Sequence, residues 1–280
     1  FNSGWHFLAT KFAWKVSTLG NLTGITTASA PTYWFLEKLE ALGIPSFLIQ
    51  AFVFWLLFFV SGLAIYFFTK QLFPKLSEKA ALIAVLFYWF NPSSLVNVWN
   101  RFVNNGMVFF TLLPLASFFY IKGIQTRNYV YAIFSVLSTF IFSYALTSTP
   151  FNILLGFVFF YSFLYYFITE RDPAKKFFYI KYFLLTLVAF VGVNFWWIGQ
   201  FFSFSYSPDF LTTLSSFFSP EGNLGTLTTL SQKLGNLIDV VRLKHATFFS
   251  GEEPSWQQFF DFPLFRILEF LVPAFILATI

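Results

Sequence analysis

The sequence predicts an all-α fold: a polytopic transmembrane helix bundle of about seven spans with amphipathic exterior helices. Of its 280 residues, 57% are hydrophobic and only 10% charged, against about 45–50% and about 25% in soluble domains. Charge this sparse cannot cover a water-soluble globule, and the mean hydropathy of +0.68 agrees. Long uncharged runs approach or exceed the roughly 20 residues that cross the hydrocarbon. The same composition excludes a disordered chain, and the absence of cysteine excludes a disulfide-stapled module. The 17 Lys and Arg are scattered, so a pI near 9.3 does not read as nucleic-acid binding.

The first span is Ser46 to Thr69, uncharged and followed by Lys70, Lys75 and Lys79. A second run starts at Ala80, meets Asn91-Pro92, and reaches about Trp99 if the helix kinks there. A third covers Met107 to Ile121, and a fourth Tyr129 to Leu146. The TSTP connector joins the fourth to a fifth, Phe151 to Ile168. A sixth runs from Phe178 to Ile198, and a seventh begins near Pro263. The chain thus divides into an exterior amphipathic segment (1–45), a six-span core (46–200), an exterior loop (201–262) and a last span (263–280). It opens on Phe1 without Met and stops within an apolar run at Ile280, so a longer parent chain is expected.

Basic residues orient these spans. The loops at 70–79, 122–127 and 170–176 hold Lys70, Lys75, Lys79, Lys122, Arg127, Arg171, Lys175 and Lys176; the alternate short loops at 100–106 and 147–150 hold only Arg101. Positive-inside logic puts the first group in the cytoplasm, and residues 1–45 and 201–262 outside a plasma membrane. Both exterior segments carry helical patterns. One has Trp34, Leu36, Leu39 and Leu42 among Glu37, Lys38 and Glu40; the other has Leu227, Leu230, Leu234, Leu237 and Val241 opposite Asp239. Such helices lie in the membrane interface or pack on the span ends. The 47 Phe exceed what interfacial belts need, and biased composition accounts for the excess.

The segment richest in chemistry is NPSSLVNVWNRFVNNG, Asn91 to Gly106. Asn97, Asn100, Arg101, Asn104 and Asn105 surround one guanidinium with amides. A guanidinium grips phosphate through paired hydrogen bonds, so this stripe reads as a lipid-phosphate or cavity site. An outer loop with a helix cap and ordinary interfacial polarity has the same composition. Exterior carboxylates suited to general-base work are Asp209, Glu252 and Glu253, with Glu221, Asp239 and Asp261 behind them. No cofactor is expected, and a divalent metal has no local motif to hold it: Asp-x-Asp is absent, and His6 and His245 stand apart. Trp196, Trp197 and Gln200 close the sixth span, as interfacial anchors or as a platform for a sugar. Asn21-Leu22-Thr23 is a short glycosylation sequon.

The stretch LGIPSFLIQAFVFWLLFFVSGLAIYFFTKQLFPK, followed by AALIAVLFYWFNPSSLVNVWNRF and FFTLLPL, resembles the early membrane core of multi-pass GT-C glycosyltransferases. The nearest group is the arabinofuranosyltransferase-like envelope proteins of bacteria and archaea. The likeness rests on LGIP with Gln50, the Ser61-Gly62 step, and Phe87-Tyr88 before Asn91-Pro92, and covers residues 40 to 116. It implies a polyprenyl-phosphate-linked sugar as donor, a glycan or glycoprotein as acceptor, and transfer outside the cytoplasm. It also implies a catalytic Asp or Glu in a long first exterior loop. Between Phe1 and Pro31 there is neither, so no base carries over. A transporter or flippase with the Asn/Arg stripe along its path, and a noncatalytic scaffold or assembly subunit, are the alternatives.

Overall fold

The computed structural model describes residues 14–15, 21–22, 27–91, 94, 98, 105–205 and 263. The chain divides into two units, Phe1–Ser207 and Pro208–Ile280, and all the elements below belong to the first. Among the described residues the fold is the expected helical one, apart from a two-rung antiparallel ladder of β1 (Trp14–Lys15) and β2 (Asn21–Leu22). The helices are α1 (Ala30–Ala41), α2 (Ser46–Leu72), α3 (Glu78–Phe90), α4 (Asn105–Thr126), α5 (Val130–Ile141), α6 (Thr149–Thr169) and α7 (Pro173–Ser205). A 3-10 helix, Ser143–Thr147, links α5 to α6.

Four of these helices, α2, α4, α6 and α7, are long and apolar enough to cross a membrane. This is a membrane protein. The second and fourth expected spans are each interrupted, at Asn91-Pro92 and at Phe142. With 13 and 12 residues, α3 and α5 rise only about 20 and 18 Å at 1.5 Å per residue. α3 ends at the Asn91-Pro92 step, and Ser94 and Val98 beyond it are again helical. A residue before proline is driven out of the helical region, and Asn91 adopts ψ 156°. Its Nδ2 donates to Phe87 O and Tyr88 O, while its Oδ1 accepts the Ser94 N–H at 3.0 Å. One asparagine therefore closes α3 and opens the next turn. α5 gives way to the 3-10 helix at Phe142, and α7 continues past the boundary expected at residue 200. The amphipathic helix at 227–241 lies outside the described residues, as does the seventh span except for Pro263.

Helix ends follow ordinary capping chemistry. Ser77 Oγ accepts the Ala80 N–H at the start of α3. Asp172 accepts from Ala174 at 2.9 Å, with Pro173 as the first helical residue of α7. α1 and α4 both end in the six-to-one, five-to-two pattern that needs a left-handed residue. Gly43 (φ 81°) fills that position after α1, with Ile44 N–H bonded to Leu39 O. Arg127 (φ 52°) fills it after α4, with Asn128 N–H bonded to Gly123 O.

The core is built around α4. Buried side chains occur nearly all round it, including Met107, Leu112, Ala116 and Tyr120. In its apolar window 67% of residues are buried, against 33%, 11% and 22% for α2, α6 and α7, so those three present their large side chains to lipid. Between helices in hydrocarbon, association rests on close packing and polar links rather than on expelling water. Thr111 donates to Leu57 O across α4 and α2 at 3.1 Å, and Ser135 to Ala116 O across α5 and α4 at 3.0 Å. Aromatic rings fill the other seams: Phe109 stacks on Phe151 at 4.3 Å and Tyr120 on Phe159 at 4.4 Å.

Candidate functional site

The three basic loops gather at one end of the bundle. Gln71 at the end of α2 donates to Gln125 at the end of α4, and Gln125 donates to the Tyr166 hydroxyl of α6 at 2.7 Å. Glu170 pairs with Lys175 at 3.3 Å and accepts the N–H groups of Asp172 and Arg171. The Asp172 N–H foremost, with the Arg171 N–H and Lys175, holds the Glu170 carboxyl below its ordinary range. Lys122 lies 5.1 Å from the ring centres of Phe118 and Tyr131, and Lys181 lies 4.3 Å from that of Phe177. Their stems cover apolar surface while the charge stays at the rim.

The opposite end is polar, and α1 brings Glu37, Lys38 and Glu40 to it. It is formed by α1, the 3-10 helix, the starts of α4 and α6, and the last turns of α7. The rings of Tyr33 (α1) and Tyr144 (3-10 helix) lie 5.7 Å apart, and burial, reinforced by Tyr144, pushes the Tyr33 hydroxyl above its usual range. Asn105 donates to Thr147 at 3.3 Å, and Thr147 donates to Tyr144 O. Asn152 donates to Leu146 O at 2.8 Å. Deeper in, Asn194 donates to Thr139 at 3.0 Å and accepts from the Trp197 indole at 3.1 Å, a fully buried link between α7 and α5.

Several polar atoms at this end have no hydrogen-bond partner among the described residues: Glu37 Oε2, Ser143 Oγ, Asn152 Oδ1, Trp196 Nε1 and Gln200 Oε1 are each buried and unbonded there. A buried polar group left unbonded costs roughly 1–3 kcal/mol. Each of these atoms can still form a hydrogen bond with a partner beyond the described residues. Glu37 is the member that can accept a proton. It stands one turn beyond Tyr33 on α1, the same side of the helix.

The sequence-derived residues are distributed unevenly over this geometry. Asn105 is in place at the start of α4, half-buried and bonded. Trp196 and Gln200 fall on one face of α7 and carry two of the unbonded atoms. Trp197 is only 6% exposed, bonded to Asn194, and lines an apolar groove instead of standing open at the surface. Asn97, Asn100, Arg101, Asn104, Asp209, Glu252 and Glu253 lie outside the described residues. Of the α1 pattern, Leu36 faces the core, whereas Trp34 and Leu42 are exposed, so α1 shows apolar side chains to both protein and surroundings. Sequence reading missed Glu37 as a site residue, because an acidic residue in an amphipathic helix reads as part of the solvated face. The four-residue spacing from Tyr33 was the available signal. Among the described residues no cluster of His, Cys, Asp or Glu could hold a metal.

Compared with known proteins, the chain matches no family model, no curated protein and no solved structure.

Proposed function

We propose that this chain is the membrane core of a glycosyltransferase. It moves a sugar from a polyprenyl-phosphate donor to a glycan or glycoprotein acceptor on the extracytoplasmic side of the plasma membrane. The observation that supports it best is at the polar end, where a carboxylate oxygen of Glu37 is buried without a partner among the described residues. Positive-inside orientation of the basic end turns that polar end outward. Chemically, the acceptor oxygen attacks the anomeric carbon, and the bond from that carbon to the phosphate oxygen breaks. Glu37 takes the acceptor's proton, Arg101 stabilises the departing polyprenyl phosphate, and the anomeric configuration inverts.

The test is a transfer assay on the purified protein in lipid, with a panel of polyprenyl-phosphate monosaccharides and release of polyprenyl phosphate as the readout. Release that falls at least a hundredfold in both Glu37→Gln and Arg101→Ala, with unchanged thermal unfolding, is the expected result. Full activity in either variant removes that residue from the mechanism. A noncatalytic scaffold is the second reading, favoured by the polar ties that fix α4 to α2 and α5. It requires no release from any donor.

A further inference from the structure

Between α6 and α7 runs a groove of ≈ 330 Å³, lined among others by Asn152, Gly156 and Phe159 from α6 and Phe183, Phe190 and Trp197 from α7. It opens sideways, because Phe157 and Phe160 on one helix and Leu187 and Phe195 on the other are exposed. Its wall extends from Phe183 to Phe202, a rise of about 28 Å at 1.5 Å per residue, close to the roughly 30 Å hydrocarbon thickness. Its volume sits at the lower end of the roughly 300–1,000 Å³ of ligand pockets, room for one chain rather than two.

Two features show that the groove is not simply loose packing. Gly156 stands inside the α6 span, where glycine weakens a helix, yet nothing among the described residues lies within 4 Å of the place its Cβ would take. No described helix uses the missing side chain, so its effect is to deepen the groove. Trp197 is almost entirely enclosed and still lines the groove, so an occupant would reach an indole that bulk lipid does not.

The lining also narrows the chemistry of the occupant. Among the described residues it contains no Lys, Arg or His; Thr186 donates to Tyr182 O and the Trp197 indole to Asn194, and Asn152 Oδ1 is its one open polar atom. A phosphate monoester on the occupant would meet no counter-charge here. We propose that the groove seats one acyl chain of a bilayer phospholipid, whose headgroup stays in the interface above. This inference does not depend on the transferase reading.

The experiment reconstitutes the protein in phosphatidylcholine brominated at mid-chain and follows tryptophan fluorescence, since bromine quenches on contact. The Trp197 component is the difference between wild type and Trp197→Phe. It should be quenched at least twofold, and Gly156→Phe, which fills the groove, should abolish that quenching with unfolding unchanged. If Trp197→Phe does not fold, the loss of quenching from wild type to Gly156→Phe and Gly156→Leu reads the same contact. An unquenched Trp197 component, or quenching indifferent to both Gly156 variants, overturns the proposal. So does relief of quenching by a few mole per cent of undecaprenyl phosphate, which would assign the groove to an isoprenoid chain.

Discussion

Tyr88 replaces the hydrogen bond that Pro114 removes. Proline has no N–H, so Pro114 leaves the carbonyl of Phe110, four residues earlier in α4, without its helical donor. The Tyr88 hydroxyl of α3 donates to that carbonyl at 2.6 Å, while its ring stacks on Phe110 at 3.8 Å. A proline in the most buried span thus becomes the anchor for a short helix that α3's own length would hold poorly. Tyr88→Phe should destabilise the protein by about 0.5–1.5 kcal/mol, the net worth of one hydrogen bond. In a Pro114→Ala background, where the helical bond returns, the same change should cost clearly less. Thermal unfolding of the four variants in detergent measures the coupling.

Gly62 and Trp89 tie α3 to α2 as well. A Cβ on Gly62 would overlap the Trp89 indole, which stacks on Phe58 at 4.0 Å and donates to Ser61 at 3.1 Å. The ring is held from two sides and cannot step back. Gly62→Ala should therefore destabilise by about 1–3 kcal/mol, the usual cost of overpacking, despite alanine's better helix propensity. Unfolding followed by tryptophan emission checks it.

The two left-handed helix ends give opposite predictions. Arg127 at φ 52° carries a strain of about 1–2 kcal/mol that glycine would not. Arg127→Gly should raise stability by up to about 1 kcal/mol once glycine's greater unfolded-state freedom is offset. Gly43→Ala should lower stability by a similar amount, because the strain is added there. Paired melting curves decide both signs.

The Glu170 carboxyl is held below its ordinary range in the folded protein. Its contribution is therefore present above the unfolded carboxylate pKa of about 4.3 and lost as pH falls through the lower folded value. Glu170→Gln should melt below wild type at pH 7, and the gap should close as the pH drops under about 4. Melting temperatures across pH 3 to 7 test this. A gap that widens in acid would reverse the sign.

Orientation can be read by labelling, because the chain has no cysteine. Lys75 in the basic loop and Leu42 after α1 are both exposed. In sealed cells a membrane-impermeant maleimide should label Leu42→Cys and spare Lys75→Cys. Permeabilisation should then expose both.

The fold class was legible because spans announce themselves by length and lack of charge, and the bounds of α2 and α6 lie within a few residues of their apolar runs. The clustering of Lys70, Lys122 and Lys175 at one end was legible for the same reason, since charge marks where a chain leaves the bilayer. Where α3 and α5 stop was less so. Apolar composition continues past Phe142, whereas a polar stretch begins at Asn91, and both stops come from local chemistry: a proline that excludes the helical region at Asn91, and a tightening to 3-10 geometry at Ser143. The partner of Tyr88 was illegible, because a carbonyl freed by a proline in another span is a property of packing. So was the unbonded oxygen of Glu37, whose significance depends on what fails to reach it.

The most direct measurement is a cryo-EM map of the protein in lipid nanodiscs loaded with a polyprenyl-phosphate sugar. The expected result is a phosphate beside Arg101, the sugar facing Glu37, and the isoprenoid chain leaving toward the membrane. A bound donor elsewhere, or a polar end closed and empty of donor at saturating concentration, would contradict the transferase reading and leave the scaffold in its place.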